Sequence, residues 1–251
     1  MDTVALKLPD GSTCHLTSAA MWPIATFLRW EIYTRQRYLH PGFELRPNDT
    51  VLDVGGNIGL FVLWAAPQVP QGRIVTVEPN PSAVACMRLN IARNALPNVT
   101  VLHAAAGRDG DEMELVTYPG YEGLTHAVTS RLPWLPRLFA RSPGKSERVT
   151  VPQISLGRVM DENRLETVNY LKFDCEGAEY EILRNLGAAY WPRIERIAME
   201  YHEYAPDQKP GELIAMLRDH DFEVKASASF FERHFQKCGA IWARRRSARA
   251  T

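Results

Sequence analysis

Thr50-Val51-Leu52-Asp53-Val54-Gly55-Gly56-Asn57-Ile58-Gly59 is a short apolar run, carrying one aspartate, that leads into three closely spaced glycines. Such a run bounded by glycine reads as a buried strand, and the apolar stretch from about 58 to 66 reads as the helix behind it. The same alternation continues outward. Residues 73–78 read as the second strand, Asn80 as the cap of a helix with Pro81 in its first turn that runs to about 94, and 99–104 as the third strand. Further on, 169–174 and 196–201 supply a fourth and a fifth strand, with helices over 178–185 and 211–220. Strands that alternate with helices make a parallel sheet covered on both faces. Short strands at 222–225 and 240–243 are expected to close one edge as an antiparallel hairpin. Ahead of the sheet, 4–8 and 13–16 flank Pro9-Asp10-Gly11 as a small hairpin, and a helix starts near Pro23. The expected division is an N-terminal extension over 1–48 and an α/β domain over 49–251.

The chain has 251 residues, 45% of them hydrophobic, which is ample for one sizeable core. Its 29 basic and 29 acidic residues cancel, so a nucleic-acid partner is not expected. Cys14, Cys86, Cys175 and Cys238 stand far apart, without the spacing of a zinc framework, and suit a reducing cytoplasm. The early apolar stretch 19–30 is broken by Pro23 and Arg29, so neither an export signal nor a membrane span is expected. Between 117 and 147 four prolines and three glycines interrupt the pattern. This insertion is expected to act as a lid or as a docking surface. Arg131, Arg137 and Arg141, interleaved with Trp134 and Phe139, would suit an acidic partner such as a carrier protein.

In an open parallel sheet, ligands bind beyond the carboxyl ends of the strands, where strand order reverses. Asp53, Gly55, Gly56, Asn57 and Gly59 should therefore line a ligand crevice. Glu78 ends the next strand, and its two oxygens can accept the hydroxyls of a ribose. Pro79 after it and Ala105 after the third strand complete the expected cofactor contacts. Asn57 stands where a dinucleotide site has its middle glycine, and Asp53 would repel a pyrophosphate. The amino group of S-adenosylmethionine would be attracted instead.

A second constellation lies on the fourth and fifth strands. Alternation puts Tyr170, Lys172 and Asp174 on one face. A lysine inside a central strand needs a paired charge, and Glu200 on the neighbouring strand is the expected partner. Asp174, Glu200 and His202 should all emerge beside the glycine turn. The plainer alternative for Glu176 and Glu179 is that they simply favour the positive end of a helix, as Lys172 could simply pair with a nearby carboxylate.

The runs Asp49 through Phe61, Val77-Glu78-Pro79-Asn80-Pro81 and Leu171-Lys172-Phe173-Asp174-Cys175-Glu176-Gly177-Ala178-Glu179 resemble the FkbM-type methyltransferases, which use S-adenosylmethionine on the class I methyltransferase fold. Glu31-Ile32-Tyr33 through Tyr38, and Met199-Glu200-Tyr201-His202, fit the same pattern. Gly56 stands where the family more often has alanine, a change the turn is expected to tolerate. The resemblance implies a Rossmann-like class I sheet, mostly parallel with an antiparallel edge hairpin. It also implies methyl transfer to a hydroxyl of a small acceptor, free or held on a carrier protein, of the polyketide-type natural-product or sugar class. His202 has the intrinsic pKa of a general base and could be oriented by Glu200 or Asp174, with Lys172 keeping the carboxylates ionised. A divalent metal on Asp174, Glu200 and His202 is chemically open but is not among the expected cofactors. Two other readings are a nucleotide (NAD(P))-dependent oxidoreductase, which the missing middle glycine disfavours, and a catalytically degenerate binding module. Intact Asp53, Glu78 and Asp174 argue against the second.

Overall fold

The computed structural model describes residues 3–118, 126–127 and 146–246. Its strands are β1 (Val4–Lys7), β2 (Thr13–Leu16), β3 (Thr50–Val54), β4 (Arg73–Glu78), β5 (Val99–His103), β6 (Ala105–Ala106), β7 (Glu112–Thr117), β8 (His126–Ala127), β9 (Glu147–Ile154), β10 (Tyr170–Phe173), β11 (Arg196–His202), β12 (Phe222–Ser227) and β13 (Cys238–Arg245). The described α-helices are α1 (Trp22–Arg29), α2 (Leu60–Ala65), α3 (Pro81–Arg93), α4 (Leu156–Glu162), α5 (Glu179–Arg184) and α6 (Pro210–Asp219).

Seven strands make the main sheet in the order β12-β13-β11-β10-β3-β4-β5. The five from β5 to β11 run parallel, and β13 lies antiparallel to both β11 and β12, as the expected edge hairpin requires. Alternation along β3 divides the core into two layers. Leu52 and Val54 pack with α4, α5 and α6, while Val51 packs with α1, α2 and α3. The second layer also takes Leu6, Leu8 and Leu16 of the N-terminal hairpin. That hairpin is tied to α3 as well, through Thr13 N donating to Asn94 Oδ1 (3.3 Å) and His15 N donating to Asn90 Oδ1 (2.6 Å). The extension thus shares one core with the sheet.

Local signals explain the helix starts. Asn80 accepts from Ser82 N and Ala83 N at the head of α3, as its cap position demands. After α1 the backbone widens into a π-turn over Trp30–Thr34, which buries Glu31 and Ile32. A single π-turn of this kind re-aims side chains and is common at functional sites.

A second sheet, β6-β9-β7-β8, was not evident in the pattern of residues. Its β7 and β9 pair antiparallel with Thr117 opposite Glu147, so the expected 117–147 insertion is closed at its base by a ladder. Arg131, Trp134, Arg137, Phe139 and Arg141 lie outside the described residues. All four cysteines are free, and no helix among the described residues is long and apolar enough to cross a membrane.

Candidate active site

Strand order reverses between β3 and β10, and the two halves of the site are built on either side of that point. On the first side the chain leaves β3 through a turn with φ of 84° at Gly55, 48° at Asn57 and 87° at Gly59. A Cβ on Gly55 would lie 1.8 Å from the Asp174 carbonyl oxygen, so only glycine lets the ends of β3 and β10 touch main chain to main chain. Gly55 N and Gly56 N both donate to Val77 O, which ties the turn to β4.

Glu78 closes that side. Its Oε2 accepts from Asn57 N and its Oε1 from Asn80 N, each at 2.8 Å. A carboxylate oxygen offers two lone pairs, so each keeps one for a further donor. Burial pushes the carboxyl up to about 7, against the pull of those two N–H donors. Pro79 turns its carbonyl to His103 Nε2 at 3.0 Å.

Beneath the turn sits a charge pair that the sequence reading assigned differently. Lys172 Nζ lies 2.8 Å from Asp53 Oδ1, and Thr76 Oγ1 donates to Asp53 Oδ2 at 2.8 Å. The partner is Asp53 rather than Glu200 because the ladder sets Lys172 opposite Asp53 on one side and opposite Ala198 on the other. Burial works against the ammonium, but Asp53 and Asp174 outweigh it and hold Lys172 above its ordinary value. Asp53 has no exposed surface, and through these two contacts it braces the base of the turn.

Two other expectations need correction. A Cβ on Gly56 would meet the Thr76 hydroxyl oxygen at 2.2 Å and Met87 Cε at 2.7 Å, so in this chain alanine there would displace the hydroxyl from Asp53. Ala105 belongs to β6, and its side chain packs with Leu115 and Val151 in the core of the second sheet rather than in the crevice.

On the second side the carboxyl ends of β10 and β11 bring Asp174, Glu200 and His202 together, each offering a ligand atom within 4.8 Å of the others. The side chains that hold them were not assigned from sequence. Tyr38 donates to Asp174 Oδ2 at 2.7 Å, and buried Arg37 donates to Glu200 Oε1 at 2.5 Å and to Glu232. Arg35 reaches the same Glu232 at 2.6 Å. Glu179 is wholly buried, not a solvated helix-end charge: its Oε1 lies 3.1 Å from His202 Nδ1 and accepts from Cys175 N. Glu176 accepts from Tyr204 at 2.6 Å.

Burial opposes a charge on His202, but Glu176 and Glu179 outweigh it and raise the imidazole well above its usual value. The general-base role expected of His202 therefore competes with the hold that Glu179 has on its Nδ1. Glu31, delivered by the π-turn, is buried beside this cluster. Burial, then Glu200 and Asp174, push its carboxyl up to about 8. Glu31 and Tyr38 both lie in the segment that carried part of the resemblance, which was the one signal that could have found them.

The profile of the methyltransferase FkbM domain matches residues 53–224. The 31-O-demethyl-FK506 methyltransferase FkbM of Streptomyces tacrolimicus is 32% identical over 240 residues, covering 88% of this chain and 89% of that protein. Methyltransferase sdnD of Sordaria araneosa is 28% identical over 80% of this chain and 83% of its own length. Among solved structures, a SAM-dependent methyltransferase from Aquifex aeolicus aligns with a TM-score of 0.46 and 14% identity, over 89% of this chain and 97% of that one. With a matched region that takes in the glycine turn, Glu78, Asp174, Glu200 and His202, the chain belongs to the FkbM family of S-adenosylmethionine-dependent methyltransferases.

Proposed function

We propose that this chain transfers the methyl group of S-adenosylmethionine to a hydroxyl of a small natural-product or sugar acceptor. One observation carries the reading: the glycine turn beside Glu78 and a cluster of proton-handling groups meet at the touching ends of β3 and β10. The residues present fit the cofactor. Glu78 keeps one lone pair on each oxygen for two ribose hydroxyls. When bound, the cofactor supplies an electrophilic methyl group on a positively charged sulfur.

The remaining work falls to the chain. Asp174 and Glu200, each fixed by a donor behind it, orient the acceptor hydroxyl toward the crevice. Alignment to near-attack distance supplies several kcal/mol of a displacement barrier, of order 7 in favourable cases. An alcohol also has to lose its proton as it attacks. Glu31, with its carboxyl near 8 and no hydrogen bond of its own among the described residues, is the base we assign. The name of the Streptomyces tacrolimicus relative, a methyltransferase of an O-demethyl compound, supports oxygen as the methylated atom.

The test is a titration of the purified chain with S-adenosylmethionine, NADH and NADPH, followed by a labelled-methyl assay on a panel of macrocyclic polyketides and sugars. Binding of the first compound alone, with label recovered as an ether, is the expected result. Label on nitrogen or carbon would exclude the hydroxyl reading.

A further inference from the structure

We propose that Asp174, Glu200 and His202 form a binding site for one divalent first-row metal ion, with Mn²⁺ as the test ion, and that this ion seats the acceptor oxygen. The seating role rests on the methyl-transfer reading above; the binding site does not.

The geometry comes first. The three donors stand at adjoining strand ends, with ligand atoms within 4.8 Å of one another, and two of the residues are buried. Each is gripped from behind: Asp174 by Tyr38, Glu200 by Arg37, and His202 by Glu179 on Nδ1. Among the described residues Asp174 Oδ1 and His202 Nε2 carry no hydrogen bond, and Nε2 lies 3.7 Å from Glu176 Oε2. A carboxylate on the far nitrogen of an imidazole is the arrangement that orients histidine ligands toward metals.

Glu31 points to a cation independently of those three residues. It is only 4% exposed, makes neither a hydrogen bond nor a close ion pair among the described residues, and lies within electrostatic reach of Glu200 and Asp174 as well as Arg37 and Arg35. A buried carboxyl group without a partner is one that a bound cation can engage. Six carboxyl groups (Glu31, Asp174, Glu176, Glu179, Glu200 and Glu232) crowd around Arg35, Arg37 and His202, and Lys172 adds its charge beside Asp174. Two carboxylates with an imidazole suit manganese and its neighbours better than calcium or magnesium, which prefer all-oxygen sets.

A metal there polarises the bound hydroxyl. The step balances as follows. The O–H proton passes to the Glu31 carboxylate, the freed oxygen pair forms the O–CH₃ bond, and the C–S bond breaks with its electron pair left on sulfur.

The experiment titrates the full metal-free chain with Mn²⁺ in the absence of S-adenosylmethionine, following the free-ion signal by electron paramagnetic resonance. One ion per chain is expected. Its electron-spin-echo spectrum should carry coupling to a single imidazole nitrogen, a readout that needs no variant. Asp174→Asn should weaken binding by at least about tenfold and Glu179→Gln by about tenfold, while Glu162→Gln on the surface of α4 leaves it unchanged. Absence of a bound ion, or a spectrum without nitrogen coupling, overturns the proposal and leaves a cationic group of the acceptor as the neutralising charge. Because no cofactor is present, failure here and failure of the methyl-transfer assay are separate results.

Discussion

The two sides of the switch point handle buried charge in opposite ways. On the β3–β4 side, Asp53 and Lys172 neutralise each other, and Thr76 fills the second aspartate oxygen. The pair is dictated by ladder register and is sealed from solvent. On the β10–β11 side, six carboxylates share two guanidiniums and one imidazole, and the ion pairs span great lengths of chain, 163 positions for Arg37 and Glu200. A balanced pair stabilises a fixed shape. An unbalanced cluster costs stability and retains affinity for something that brings positive charge.

The largest effect should come from breaking the balanced side. Lys172→Met strands a buried Asp53 and is expected to cost about 3–5 kcal/mol in urea unfolding. On the unbalanced side, Glu31→Gln should cost nothing or stabilise the chain, measured in chelator. Its folded carboxyl value, about 8, lies above the unfolded one, so wild-type stability from this group falls as pH rises from about 4.5 to 8. The Gln variant should lose that slope. Equal losses from both substitutions would erase the contrast.

Next in size is the cofactor contact. Glu78→Ala should weaken S-adenosylmethionine binding by about 1–3 kcal/mol in calorimetry. Since Glu78 must be ionised to accept two hydroxyls and its carboxyl sits near 7, wild-type affinity should rise with pH through about 7 and then level off. Glu78→Gln should bind weakly at every pH. A flat wild-type profile would move the ribose elsewhere.

The smallest expected change sharpens the view of the balanced side as a tightly fitted one. Gly56→Ala should lower stability by about 1–3 kcal/mol, because Thr76 must give up either its position or its bond to Asp53. The measurement is the shift in Tm, and Thr76→Ala in the same background should remove most of the additional loss. An alanine variant as stable as wild type would mean that the hydroxyl moves freely.

How much the sequence disclosed follows the same division. The turn at 55–59, Glu78 and Asp174 were legible because strand, turn and helix signals lie within a few residues of each other. The seven-strand sheet was legible for the same reason. The partner of Lys172 was misassigned because pattern alone does not give ladder register, and Asp53 already had a role in the reading. Glu31, Arg37, Tyr38 and Glu232 were missed because their work depends on contacts with β10, β11 and one another across the whole chain. Glu179 was taken for a helix-end charge, which is the usual fate of a glutamate in a first turn, yet it is wholly buried behind His202. The short strands β6 to β9 escaped because only Leu115, Thr117 and Val151 along β7 and β9 are deeply buried, too few apolar positions for a clear alternation.

The contact between Gly55 and the carbonyl of Asp174 has a thermodynamic consequence. It is an abutment of two main chains, with no side chain between them to absorb a displacement by changing rotamer. What a ligand does to the turn is therefore transmitted to the residue that carries Asp174, and the reverse holds equally. Linkage makes such coupling reciprocal: the factor by which the first substrate raises or lowers affinity for the second must equal the factor by which the second alters the first. Two ligands that occupy opposite sides of this abutment cannot bind as strangers.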